Sequence, residues 1–201
     1  MRHIIFVCSL LLMLGGCVTP DGSGKNGPST DDDEPGSPYD PAVNWDGCDG
    51  EEGSHPCNIF SYDHNDDPFD LYMFYGQPIV VDLSAMWCGP CRNAASHAQE
   101  VQDLYVDEDL VYITVLIENL DRDPPMIDDI QAWAAAYGNT TSPVVAGDRT
   151  MLESSGTGTW KVDGWPTFYY IDREMITQDI DRGYSGEEVI YSIEWLLNLE
   201  N

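Results

Sequence analysis

The apolar positions of this chain fall into short, dense runs set off by polar turns. Pro78–Leu83 (Pro-Ile-Val-Val-Asp-Leu) and Leu110–Ile117 (Leu-Val-Tyr-Ile-Thr-Val-Leu-Ile) are continuous apolar stretches of strand length. Such runs predict strands buried on both faces. Pro143–Ala146 and Thr167–Ile171 predict two more strands, and Met175–Asp181 a hairpin partner for the second. Pro90–Tyr105 reads as a helix, and Pro124–Tyr137 as a helix that starts with prolines and stops at Gly138. Ser185–Leu199 reads as a closing helix, with Ser185 and Glu188 forming a capping box. Asn58–Leu71 alternates weakly around Asp63-His64-Asn65-Asp66-Asp67-Pro68, a turn signal, and predicts a hairpin. Strands alternating with helices imply an α/β sandwich, one central mixed sheet with helices on both faces.

The start of the chain follows different rules. Met1-Arg2-His3 precedes an 11-residue apolar run, Ile4–Leu14. That is short of the roughly 20 residues a membrane-spanning helix needs, and it fits the apolar core of a secretory leader. Leu14-Gly15-Gly16-Cys17 then resembles a bacterial lipobox. The resemblance implies cleavage after Gly16, lipidation of Cys17, and a mature protein held by a lipid anchor in the cell envelope, facing the periplasm. Val18, where an Asp would resemble an inner-membrane retention signal, favours the outer membrane. Residues 17–43 are Gly, Pro, Ser, Thr and Asp with almost nothing apolar to bury. They are expected to be a disordered acidic tether with a mean reach of roughly 25–30 Å. The expected organisation is therefore a leader over 1–16, the tether over 17–43, and one domain over 44–201.

Charge removes whole classes of function. The chain has 36 Asp and Glu against 8 Lys and Arg, a formal net charge of −28. The excess is spread through the domain, since Asn44–Asn201 holds 30 acids and 6 bases. Such a surface repels a phosphate backbone and offers no polybasic contact to a membrane, so no nucleic acid is expected as partner. Asp63, Asn65 and Asp67 mimic the start of a calcium loop, but Pro68 stands where Gly is required and Phe74 where Glu is required. No metal is expected there.

The chemistry centres on Trp87-Cys88-Gly89-Pro90-Cys91, between a buried strand and a helix. Two cysteines at this spacing close a small disulfide only in a tight turn, which a helix's first turn supplies. The leading cysteine then sits at the positive end of the helix, near unpaired N–H groups that stabilise a thiolate. Cys88 is thus the expected attacking residue. Cys91, one turn in and shielded, is the expected resolving residue. Zinc is the usual rival for a C-x-x-C pair, but the strand and helix flanking this pair are not zinc knuckles.

Val80-Val81-Asp82-Leu83-Ser84-Ala85-Met86-Trp87-Cys88-Gly89-Pro90-Cys91-Arg92 resembles the active-site stretch of thioredoxins. A second stretch, Val162-Asp163-Gly164-Trp165-Pro166-Thr167-Phe168-Tyr169-Tyr170-Ile171-Asp172, resembles that family's cis-proline loop. The longer gap between the two motifs and the hairpin before the first are similar to the membrane-anchored TlpA/ResA-like branch. The resemblance implies a thioredoxin-like fold with an N-terminal hairpin and an insertion between the active-site helix and the cis-proline loop. It implies that Pro166 is cis beside the disulfide and that the backbone of Trp165 pairs with substrate. Trp87, Gly89 and Pro90 are the other expected substrate contacts. Asp82, an acid inside an apolar strand, matches the buried acid that moves the resolving cysteine's proton, where the TlpA-like branch often has Asn. Ser84 stands where thioredoxins usually have Trp.

Cys48 and Cys57 remain. In an oxidising compartment, two nearby cysteines in a loop-rich stretch are expected to form a structural disulfide. A second redox pair is the alternative. The activity implied is thiol–disulfide exchange without metal or organic cofactor, run by the Cys88–Cys91 couple. Gly-Pro between the cysteines leans toward a reductase, for example of apocytochrome thiols, fed by a membrane thiol donor and acting on protein substrates as a monomer. The rivals are an oxidase or isomerase, and a binding or chaperone module whose disulfide is idle.

Overall fold

The computed structural model describes residue 45, residues 47–155 and residues 158–199. The leader, Cys17 and the tether expected over 1–43 lie outside the described residues. A small antiparallel hairpin comes first, β1 (Phe60–Tyr62) with β2 (Pro68–Asp70). Its turn is built by Asp63, whose carboxylate accepts from the Asn65 and Asp67 N–H groups.

The main sheet has five strands: β3 (Ile79–Ala85), β4 (Val111–Glu118), β5 (Val144–Ala146), β6 (Thr167–Ile171) and β7 (Thr177–Arg182). They lie in the order β5-β4-β3-β6-β7. β3, β4 and β5 run parallel, while β6 is antiparallel to β3 and β7 antiparallel to β6, so the sheet is mixed. Every residue of β3, β4 and β6 is buried, as their unbroken apolar runs require.

Three α-helices complete the framework: α1 (Gly89–Leu104), α2 (Ile127–Tyr137) and α3 (Gly186–Leu199). Strand alternation sorts the core. Val80, Tyr112, Phe168 and Tyr170 pack with Ala94 and Ala98 of α1 and Val189 and Ile193 of α3. Leu116 and Val144, on that same side of the sheet, pack with Ile130 and Trp133 of α2. The three long helices therefore share one face, as two successive right-handed crossovers in one direction require. The opposite side, with Val81, Leu83, Ile113 and Val115, is covered by the hairpin, the 3₁₀ turn at Leu71–Phe74, and the chain around Leu152 and Trp160. Helical elements thus flank both faces, α-helices on one and short 3₁₀ turns on the other.

One boundary differs from expectation. The second helix begins at Ile127 and not at the prolines. A residue before proline is pushed out of the helical region, and Pro124, ahead of Pro125, lies outside the helix. Met126 is the extended N-cap, and the Asp129 carboxylate accepts its N–H at 2.9 Å. The helix stops as predicted at Gly138, which adopts φ 74°. Gly147 is needed for space: a Cβ there would come within 2.8 Å of Val115 and 2.9 Å of Ile117.

Candidate active site

The site forms where β3 hands over to α1. The β3–β4 register shifts between Ser84 and Ala85, and the chain turns on hydrogen bonds from Met86 N to the Glu118 carbonyl (2.9 Å) and from Cys88 N to the Ala85 carbonyl (3.0 Å). Cys88 becomes the extended N-cap of α1, and its Sγ accepts the Cys91 N–H at 3.1 Å. A sulfur thus takes the place of the usual capping oxygen on one of the helix's unpaired donors. No acid lies in the first turn of α1 to oppose the positive end of its dipole. Cys88 and Cys91 are bonded to each other. Cys88 keeps 4 % exposure and Cys91 none, so the leading sulfur is the one a substrate can reach. Gly89 and Pro90 lie exposed between them.

The Trp165–Pro166 peptide is cis and stands just before β6. Its loop is tied down by Thr167 Oγ1 donating to the Gly164 carbonyl (2.8 Å) and Gly183 N donating to the Pro166 carbonyl (2.8 Å). Trp165 meets Trp87 edge to face, with ring centroids 6.3 Å apart, and both indoles pack on Ala85, Cys88 and Cys91. The expected catalytic cysteines and the two expected substrate-contacting tryptophans are therefore one cluster.

Asp82 is fully buried within β3, on the face that α1 covers. Ser84 Oγ donates to one carboxylate oxygen at 2.6 Å and Tyr112 Oη to the other at 3.3 Å. Burial pushes the carboxyl pKa up to about 7, even though both hydrogen bonds pull it down. A group poised there accepts or releases a proton near neutral pH.

Three residues around Trp87 are not visible from local spacing. Glu118, at the end of β4 and 2 % exposed, accepts the Trp87 indole N–H at 2.6 Å and is ion-paired with Arg149. Burial raises its pKa, but hydrogen bonds from Arg149 and Trp87 and the charges of Arg149 and Arg122 outweigh this and hold it below the usual carboxylate range. Arg122 lies over the Trp87 ring, 4.2 Å from its centroid. These partners are 31 or more residues from one another or sit in loops. The one signal was an acid ending an otherwise apolar strand.

Cys48 and Cys57 are also bonded to each other. The loop they close docks on the edge of the main sheet: Gly53 N donates to the Thr177 carbonyl (2.7 Å), and Thr177 N to the Ser54 carbonyl (2.9 Å). His55 Nδ1 bonds the Met175 carbonyl (2.7 Å), and its ring stacks on Trp45 at 4.0 Å. Glu51 in the loop is ion-paired with Lys161.

Residues 61–132 match the family model described as thioredoxin. A thioredoxin of Griffithsia pacifica is 36 % identical over 69 residues, which cover 34 % of this chain and 53 % of that protein. The thioredoxin-like protein YneN of Bacillus subtilis (strain 168) is 25 % identical over 109 residues, 54 % of this chain and 58 % of that one. The chain thus spans about half the length of the curated relatives it matches. Among solved structures, a thioredoxin-family thiol:disulfide interchange protein of Chlorobium tepidum TLS superposes with a TM-score of 0.59 at 16 % identity, covering 73 % of this chain and 98 % of that one. The pneumococcal exposed lipoprotein thioredoxin Etrx1 of Streptococcus pneumoniae strain TIGR4 superposes with a TM-score of 0.56 at 19 % identity, covering 70 % of this chain and 100 % of that one. The fold is thioredoxin-like.

Proposed function

We propose that this thioredoxin-like chain is a thiol–disulfide oxidoreductase that reduces protein disulfides. The observation that carries the reading is Cys88 capping α1 with its sulfur on a backbone N–H, beside the cis peptide at Pro166. In the reduced protein that N–H and the helix dipole stabilise a Cys88 thiolate. The thiolate attacks a substrate disulfide, the Cys88–substrate bond forms, and the first substrate thiolate leaves and takes a proton from water. Asp82 then accepts the Cys91 thiol proton. The Cys91 thiolate attacks Cys88 Sγ, and the second substrate thiolate leaves. The second thiolate also takes a proton from water, and Asp82 releases the Cys91 proton to solvent, so the substrate disulfide has gained two electrons and two protons while Cys88–Cys91 has lost two electrons and the Cys91 proton. Trp165 supplies the backbone edge that pairs with the substrate chain, and Trp87, Gly89 and Pro90 the surrounding contacts.

The reading extends to place and partners. The leader and Leu14-Gly15-Gly16-Cys17 support lipidation at Cys17 and an envelope location facing the periplasm, and Val18 after the cysteine favours the outer membrane. Re-reduction of Cys88–Cys91 after each cycle requires a thiol electron donor in the membrane, and the protein works as a monomer on protein disulfides, such as those of apocytochromes. No metal or organic cofactor enters the reaction. Labelled fatty acid should enter the wild-type chain and not Cys17→Ala.

The deciding experiment pairs a reduction potential for Cys88–Cys91 with disulfide-reduction assays of wild type and Cys88→Ser. A potential near −250 mV with activity lost in Cys88→Ser is the expected result. Turnover retained in Cys88→Ser overturns the assignment. A potential near −150 mV overturns the direction and makes the protein an oxidase or isomerase.

A further inference from the structure

Asp82 is held by two hydroxyls and no cation. Its own strand supplies Ser84, and β4 supplies Tyr112. Thr114, the register partner of Asp82 on β4, also brings a hydroxyl and no charge. Tyr184, from the segment before α3, feels the Asp82 charge from further off, and so does Tyr112 that of Tyr170 on β6. Glu100, on α1, acts on Tyr184. Among the described residues no Lys or Arg is paired with Asp82.

The geometry also fixes what Asp82 faces. β3 runs up to Cys88 and α1 runs back over the sheet, so the start of the helix lies above the end of the strand. Val80 packs with Ala94 and Ala98. Asp82 is the next residue on that face toward the strand's end, and Cys91 is the buried α1 residue one turn before Ala94 and Ala95. The carboxyl therefore lies on the face of β3 that meets the start of α1, the turn that carries Cys91. Neither Ser84 nor Tyr112 is on the helix that carries the cysteines, and both are fully or nearly fully buried.

Resting on the oxidoreductase reading, we propose that Tyr112 is a positioning residue for the resolving step: its hydroxyl, acting with that of Ser84, holds Asp82 as the carboxylate that accepts the Cys91 proton. A hydroxyl donor stabilises a carboxylate more than a neutral carboxyl group, so each bond draws the acid toward its ionised form. The two bonds fall on different oxygens, which also fixes the rotation of the carboxylate about its strand. In a pocket without a cation, these donors are the only means by which the described residues oppose burial. They let Asp82 be deprotonated at the pH where it must take a proton. The proton moves from Cys91 Sγ to an Asp82 oxygen and is later released to solvent, while Tyr112 keeps its own proton throughout. Burial and its neighbours raise the Tyr112 pKa well above its usual value, in keeping with a donor that does not ionise.

The test is made on the full chain, with Tyr112→Phe and Ser84→Ala beside wild type. Tyr112→Phe keeps the ring that packs with Val80, Phe168 and Tyr170 and removes only the donor. Two readouts are taken: the titration of the Asp82 carboxyl carbon by NMR in the oxidised protein, and the pH profile of disulfide reduction. The expected result is an upward shift of both midpoints by about half to one pH unit in Tyr112→Phe, and at least as much in Ser84→Ala, whose bond is shorter. At pH well above both midpoints the rates return to wild type. A role in packing alone would lower the melting temperature and leave both midpoints in place, and that result overturns the proposal. If wild type itself reduces no disulfide, the oxidoreductase reading fails and this proposal fails with it. If wild type is active and the midpoints do not move in Tyr112→Phe, the role of Tyr112 alone is refuted.

Discussion

Two disulfides in one chain have opposite surroundings. Cys88–Cys91 joins residues three apart across a helix start, with one sulfur fully buried, a backbone N–H on the other and an acid under the helix that carries them. Cys48–Cys57 joins residues nine apart in a loop whose N–H and carbonyl groups pair with the edge of β7. The first is surrounded by groups that change the energy of a thiolate. The second is surrounded by groups that hold backbone to backbone. A sheet edge is a hazard when bare, and the loop covers the start of this one. The same covalent bond therefore sits in two environments that differ in what its sulfurs and its loop touch.

The largest effect should come from breaking one cysteine of each pair. Cys91→Ser, reduced and mixed with a disulfide substrate, should accumulate a Cys88–substrate mixed disulfide, because the resolving thiolate is gone. Turnover should fall by at least about a thousandfold, in line with loss of a reacting group. Cys57→Ser should accumulate no such adduct at Cys48 and should keep turnover. Mass spectrometry of quenched mixtures distinguishes the two. An adduct on Cys48 would make the loop pair a second redox couple and dissolve the contrast.

Asp82 comes next. Its folded pKa of about 7 lies above its unfolded value near 4, so the folded state binds the extra proton. Stability is then fully present below about pH 4 and falls as pH rises toward 7, with roughly 4 kcal/mol lost once the carboxylate is fully formed. Asp82→Asn should match wild type in urea unfolding near pH 4 and exceed it by a few kcal/mol at pH 8. It should also slow the resolving step. Equal stability of the two proteins at pH 8 would mean that Asp82 is not strained by burial.

Removing the second disulfide should cost less. Closing a loop of about ten residues restricts the unfolded chain by about 2–3 kcal/mol. Cys48→Ser with Cys57→Ser should lower stability by that amount at constant turnover, measured by chemical unfolding of the oxidised proteins.

The part of this contrast that could be read from the sequence is the part written in short-range pattern. β6 runs from Thr167 to Ile171 as its apolar run predicts, and Cys88 lands on the helix cap because a buried strand, a C-x-x-C pair and a first-turn proline are contiguous. The start of α2 departs from its pattern because two prolines signal a first helical turn as readily as an approach to one. The 3₁₀ turns at Leu71–Phe74 and Arg149–Met151 leave no mark in the pattern because they have no period of their own. The partners of the site were hidden for a different reason. Tyr112 and Asp82 are 30 residues apart, Trp87 and Glu118 are 31 apart, and only the β3–β4 register brings each pair together.

Arg122 gives the smallest effect and the sharpest test of how the active-site pair is walled. Its guanidinium lies over Trp87 and adds to the charge that holds Glu118 ionised, while Glu118 fixes the indole N–H. The loop that presents it is closed by Asn119, which accepts from the Asp121 and Asp123 N–H groups, so the arginine is carried at φ 69° by a framed turn. An exposed cation over an indole contributes about 0.5–1 kcal/mol. Arg122→Ala should cost about that much stability, leave the Cys88–Cys91 bond intact and red-shift the Trp87 emission as the ring gains water. The Cys48–Cys57 loop should be unaffected, with unchanged hydrogen exchange at Gly53 and Thr177. No change in emission would show that Glu118 alone fixes Trp87, and that the arginine contributes charge rather than contact.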